Sequence, residues 1–111
     1  MANMSPEIDL LERLSALDAD LYEAAFGSCY VFRDLAHAKR VVAIYIKGKL
    51  VELYDNQSEA RTAIPFHAAR CVIQDDANWE KDGRYWLRVT KEGSDQFVED
   101  SRAFFDKLFS E

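Results

Sequence analysis

The stretch from Val41 to Asp55, VVAIYIKGKLVELYD, constrains this chain more than any other. From Val41 to Ile46 every residue is β-branched, aromatic or small, the composition that a pleated, largely buried strand selects. The run Leu50, Val51, Glu52, Leu53, Tyr54 resumes it after Lys49. With Lys47-Gly48 as a two-residue loop, and Gly48 taking the positive φ that such turns need, the stretch is predicted to form a β-hairpin. Side-chain alternation then puts Val42, Ile44, Ile46, Val51 and Leu53 on a core face. Val41, Ala43, Tyr45, Leu50, Glu52 and Tyr54 fall on a mixed face, to be covered by a helix or offered to a partner.

The chain has 111 residues, 49% of them hydrophobic, which suits one domain with a core of ordinary size. No apolar run approaches the roughly 20 residues that cross a bilayer. The N-terminus, MANMSPEIDLLERL, lacks the positive segment and apolar stretch of a secretory signal. A soluble, cytoplasmic protein without a transmembrane segment is expected.

The net charge of −6 is unevenly distributed. Residues 1 to 23 carry six acids against Arg13, residues 24 to 91 carry eight acids against eleven bases, and residues 92 to 111 carry six acids against two bases. Acidic helices flanking a mildly basic middle follow, a pattern that solvates helix faces and keeps a small domain in solution. Lys39, Arg40, Lys47 and Lys49 offer the middle to an anionic partner. No dense single-sign block occurs, which disfavours nucleic acid as a partner.

Ser5-Pro6-Glu7 is a helix start, and Leu10, Leu14, Leu17 and Leu21 recur at helical spacing behind it. Packing on a sheet is the expected use of that stripe, and a homodimer seam is the alternative. Gly27 is a stop signal, although a cap near Ser15 and Asp18 would divide the segment into two helices. Cys29 to Phe32 reads as a strand, and Arg33 to Lys39 as a connection with room for one helical turn. Glu59 to Gln74 reads as an edge strand interrupted at Pro65, with Arg70 to Ile73 extended; a short helix over Pro65 to Arg70 competes. Asp75 to Gly83 is a loop around Trp79, and Arg84 to Thr90 a strand with Tyr85, Leu87 and Val89 opposite Trp86, Arg88 and Thr90. The ending is either one helix from Ser94 or a short strand, Gln96 to Val98, followed by a helix carrying Phe104, Phe105, Leu108 and Phe109.

The predicted fold is therefore α+β: an N-terminal helix, an antiparallel sheet of about five strands, and a C-terminal amphipathic helix packed on the sheet. In its second version, strands closed by a C-terminal helix, this arrangement of elements resembles pleckstrin-homology-type domains. That resemblance implies a strand barrel and an anionic ligand or membrane head group at Lys47 and Lys49.

Chemistry-bearing constellations are sparse. Cys29, His37, His67 and Cys71 are all the cysteines and histidines, but their spacing fits no zinc knuckle, so no metal is expected. His67 could serve Cys71 as a base only on a helix, because on a strand four residues span about 13 Å. The pairs Asp75-Asp76 and Glu99-Asp100 lie where capping explains them, and no phosphate loop, HExxH or GxSxG occurs. Tyr45, Tyr54, Trp79, Tyr85 and Trp86 are the suggestive group, since aromatics anchor interfaces as well as cores. The sequence thus points to a non-enzymatic protein-interaction module without cofactor: a small regulator, adaptor, inhibitor or secretion-type chaperone. Tyr45, Tyr54, Trp86, Lys47 and Lys49 are the expected binding residues, and another protein is the expected partner. A pleckstrin-like anion binder and a small enzyme with an unrecognised site are the alternatives.

Overall fold

A computed structural model describes residues 6–26, 32, 34–81 and 83–91. In chain order these form α1 (Pro6–Ala16), β1 (Ala19–Asp20), α2 (Leu21–Phe26), α3 (Leu35–Lys47), β2 (Val51–Asp55), α4 (Phe66–Gln74), a 3-10 turn (Asp76–Trp79) and β3 (Tyr85–Val89). The chain is α+β, with an antiparallel sheet ordered β1-β3-β2 among the described residues. Gln96 to Val98 and the C-terminal aromatic stripe lie outside the described residues, as do Cys29 to Val31. No helix among the described residues is long and apolar enough to cross a membrane.

The expected hairpin does not form, because Val41 to Ile46 belongs to α3. Ala38, Val41, Val42, Tyr45 and Ile46 are spaced three, one, three and one apart, which is the buried stripe of a helix, and all five are buried. Two features outside the β-branched run decide in favour of helix. Asp34 caps the N-terminus, its carboxylate accepting from the His37 amide at 2.8 Å, and the Ala-containing turn behind it lengthens the element to 13 residues. A short apolar run cannot distinguish strand from buried helix by periodicity, and here the flanks decide.

The end of α3 explains why Lys47-Gly48 looked like a hairpin turn. The Leu50 amide donates to the Tyr45 carbonyl at 2.9 Å, and the Lys49 amide to that of Ile46 at 3.0 Å. These are the two bonds of a Schellman motif, in which the residue after the cap adopts the left-handed conformation and the next one packs back on the helix. The left-handed residue is Lys49, with φ 64°, whereas Gly48 has φ −79°. Leu50 and Tyr45, the apolar pair of the motif, are both buried.

In β2 and β3 the strands follow expectation, although Leu50, expected on the mixed face, is part of the core. Val51 pairs with Val89, Leu53 with Leu87 and Asp55 with Tyr85, while on the opposite face Glu52 pairs with Arg88 and Tyr54 with Trp86. Ala19 faces Leu87 from the other side, so Ala19, Leu87 and Leu53 form one row across the sheet. This face meets the buried side of α3 and the leucines of the N-terminal helices in a single hydrophobic cluster.

The N-terminal segment divides in two. Leu10, Leu11 and Leu14 are buried within the chain, but α1 ends at Ala16 and Leu17 leaves the stripe, 77% exposed. The second helix is capped by Asp20, whose carboxylate accepts from the Glu23 amide at 2.7 Å. Arg13 donates to the carbonyls of Glu23 and Ala24, tying the two helices together.

The extended reading of Arg70 to Ile73 is also corrected: Pro65 immediately precedes α4, and the competing short helix forms and runs on to Gln74. Proline is tolerated there because the first-turn N–H groups have no intrahelical partner. Trp79 folds back from the 3-10 turn, its indole donating to the Ile73 carbonyl at 2.8 Å, so the tryptophan of the predicted loop becomes part of the core.

Lys49→Gly should raise stability by about 0.5–1 kcal/mol. The substitution relieves a left-handed cost of about 1–2 kcal/mol for a side-chain-bearing residue, less the entropy that glycine adds to the unfolded chain. A urea midpoint that moves up with unchanged slope is the expected result. A lowered midpoint would show instead that the Lys49 side chain contributes packing that outweighs the backbone strain.

Candidate functional site

A half-open cleft of about 590 Å³ lies where the end of α3, the edge strand β2, the segment entering α4 and the end of β3 converge. Its apolar lining comes from Ile46, Val51, Ile64, Phe66 and Val89, and its cationic groups are Lys47, Lys49 and Lys91. Each element delivers its residue for a separate reason. The Schellman turn brings Lys47 and Lys49 to the rim, and the Ile64 amide bonds the Leu53 carbonyl at 2.8 Å, holding the opposite wall against the edge of β2. Thr90 fixes the turn from below: its hydroxyl donates to the carbonyls of Lys49 at 2.7 Å and Leu50 at 3.0 Å, and its amide donates to the Leu50 carbonyl at 2.9 Å.

The electrostatics of the cleft are one-sided. Among the described residues Glu52 is the carboxylate lining it, and Arg88 holds that group at 2.8 Å across the β2–β3 pair. Lys47 and Lys49 are exposed and enter no ion pair among the described residues. Lys49 is also one of the two non-glycine residues with positive φ among the described residues. Backbone strain at a lysine, next to a glycine that would carry it without cost, is the kind of outlier that accompanies function.

The five expected binding residues are distributed over three places. Lys47 and Lys49 meet at the cleft. Tyr45 was expected beside Tyr54 on a hairpin face; the helical conformation of α3 turns it into the core, with no exposed surface. Tyr54 and Trp86 are paired on the sheet face opposite the core cluster.

That second face is polar in construction. The Tyr54 hydroxyl donates to the Asp18 carboxylate at 2.7 Å, and the Arg88 guanidinium lies 4.8 Å from the centre of its ring. Tyr54 is buried, while Trp86 is partly exposed and donates its indole N–H to the Gly83 carbonyl at 3.2 Å. Burial, followed by the hydrogen bond to Asp18, pushes the Tyr54 hydroxyl up from 10.0 to about 12. At the end of the same strands the Arg84 guanidinium hydrogen-bonds Asp55 at 2.6 Å, and that bond holds the Asp55 carboxyl below its usual range. This face is latched by its own partners.

The remaining chemical groups are accounted for locally. Cys71 is exposed one helical turn after His67, and its thiol faces the His67 backbone carbonyl at 3.8 Å. Asp75 caps the 3-10 turn through the Ala77 amide, and Asp76 pairs with Lys39. No group of three or more His, Cys, Asp or Glu residues arranged to hold a metal occurs among the described residues. Cys29, Glu99 and Asp100 lie outside the described residues.

Sequence reasoning did not find Ile64, Phe66 or Lys91 as partners of the two lysines. They lie between 15 and 44 positions from Lys47 or Lys49 in the chain. The one local sign was Pro65, which places Phe66 in the first turn of α4. No protein-family model, curated protein or solved structure matches the chain.

Stability should fall in alkali through Tyr54. Its hydroxyl binds a proton more tightly in the folded state, so its contribution is complete below pH 10 and is lost as the pH rises through about 12. The loss is on the order of 2 kcal/mol. Chemical unfolding of the wild type and of Tyr54→Phe between pH 9 and pH 12, about the span of this titration, should give curves that converge at the alkaline end. Parallel curves would show that the hydroxyl titrates as an ordinary tyrosine.

Proposed function

We propose that the chain is a non-enzymatic protein-interaction module, acting in the cytoplasm, that captures a segment of another protein in the cleft between α3, β2 and α4. The observation that carries this reading is an apolar floor ringed by lysines, two of which have no ion-pair partner among the described residues. Apolar floor with polar rim is the anatomy of a docking site, where the buried centre supplies affinity and the charges supply orientation and encounter rate. Phe66 and Ile64 form the anchor pocket, and Lys47 and Lys49 select for carboxylates. The left-handed conformation of Lys49 supports the reading, because the turn it closes presents the ammonium at the rim.

A second reading uses the same lysines for an anionic head group, with a barrel of about five strands closed by a C-terminal helix in the pleckstrin-like manner. The pair of lysines that enter no ion pair among the described residues favours it, whereas the apolar floor beside them favours a peptide.

The test is site-directed photocrosslinking in the producing cell, with the crosslinker at Lys47 and, as control, at Tyr22. The protein captured from Lys47 alone is then purified and titrated into labelled chain. Amide shifts centred on Ile46, Lys49, Phe66 and Thr90, lost in Lys47→Glu/Lys49→Glu with the fold retained, are expected. Shifts centred on Trp86 or on α1 would remove the cleft from the function. Binding to anionic vesicles that disappears in the same double variant, without protein capture, would select the head-group reading.

A further inference from the structure

We infer that the segment captured is an acidic amphipathic helix, laid along the seam between α3 and α4 and extending beyond the cleft. This rests on the peptide-docking reading above and adds the chemistry and shape of the occupant.

The cleft does not end the concave surface. A second hollow, of about 210 Å³, opens between the same two helices and is lined by Lys39, Arg40 and Ala43 from α3 and Arg70, Ile73 and Gln74 from α4. The helices run antiparallel, since the end of α3 shares the first cleft with the start of α4, and the middle of α3 shares the second with the last two turns of α4. The two hollows therefore succeed each other along one seam. Arg70 links them, its guanidinium 6.0 Å from the centre of the Phe66 ring. Ala43 makes the second hollow: a larger residue between Arg40 and Lys47 on that helix would fill it.

The charged side chains lining the seam are mainly cationic, and Lys39 in the second hollow is paired with Asp76. Arg40, Lys47, Lys49 and Arg70 are all exposed, and none is in an ion pair among the described residues. The carboxylate lining either hollow among the described residues is Glu52, which Arg88 occupies. In a chain of net charge −6 this cationic strip is a local feature that complements an anionic partner.

Shape and floor then choose among anions. A groove between two antiparallel helices accepts a third helix by ridge-and-groove packing, and apolar side chains on one face of it would fill the two hollows in succession. From Arg40 to Lys47 the seam covers two turns, about 10 Å, so with Lys49 beyond it about two to three turns of partner helix are engaged. A nucleic-acid backbone would satisfy the cations but leave Ile64 and Phe66 without partners.

The test is selection of helical peptides of about 14 residues, some 20 Å long, from an unbiased display library on the whole chain. The best binders are then measured by fluorescence polarisation against wild type, Arg40→Glu/Arg70→Glu and Phe66→Asp, each checked for an unchanged circular dichroism spectrum. Enrichment of peptides with apolar residues at helical spacing and Asp or Glu beside them is expected. Their binding should weaken roughly tenfold in Arg40→Glu/Arg70→Glu and on adding salt. Selected peptides that are neutral or basic, or that bind Arg40→Glu/Arg70→Glu as tightly as wild type, overturn the inference. If those peptides still lose binding in Phe66→Asp, the cleft reading survives alone. No peptide selected, with an oligonucleotide binding in a manner sensitive to the same arginines, sinks both.

Discussion

The junction of α3 with β2 is the constraint on which the other elements depend. Over six residues, from Tyr45 to Leu50, the chain closes a helix, passes through one left-handed residue and starts the central pairing of the sheet. The motif satisfies helix-end carbonyls that would otherwise be buried without partners, and its apolar pair, Tyr45 and Leu50, is part of the core. Because Thr90 binds the same turn through both its amide and its hydroxyl, helix end and strand end are held by one set of hydrogen bonds. Displacing the turn would move α3, the register of β2 on β3, and the rim of the cleft together.

Around that junction the sheet separates two kinds of interaction. One face spends its side chains on the hydrophobic cluster with α1, α2 and α3, a non-directional contribution that scales with apolar area removed from water. The other face is held by directional contacts, Tyr54 to Asp18 and Arg88 to Glu52, which fix geometry more than they add stability. The lysine-bearing cleft belongs to neither. It arises at the edge of β2, where among the described residues pairing on one side is incomplete and the Ile64 segment lines only part of the strand.

How far the chain could be read in advance varied with how local the deciding interaction was. The first helix from Pro6, the strand at Leu53 and the strand at Leu87 were legible because their apolar periods are carried within the element itself. Alternation also sorted the faces of both strands, with Leu53 read inward and Leu87 set apart from Trp86 and Arg88, although Leu50, read on the mixed face, is in the core. The run from Val41 to Ile46 was misread because β-branched composition suits a strand and a fully buried helix face equally. Asp34 and Ala38, outside the run, settled it. Of the candidate site, Lys47 and Lys49 were legible as exposed cations around a glycine, whereas their partnership with Phe66 and Ile64 was not.

Local rules written in the chain were thus enough to determine an α+β domain with an acidic N-terminal helix, a pair of alternating strands and lysines at a reversal of direction. Tertiary structure alone decided that Tyr45 belongs to the core, that the left-handed residue is Lys49 and not Gly48, and that cations from α3 and α4 line one seam. The physical reason is range. Periodicity, capping and turn chemistry act over a few residues and leave their mark in sequence, but which helix face finds a sheet, and which rims converge on a cleft, depends on contacts between elements 15 or more positions apart.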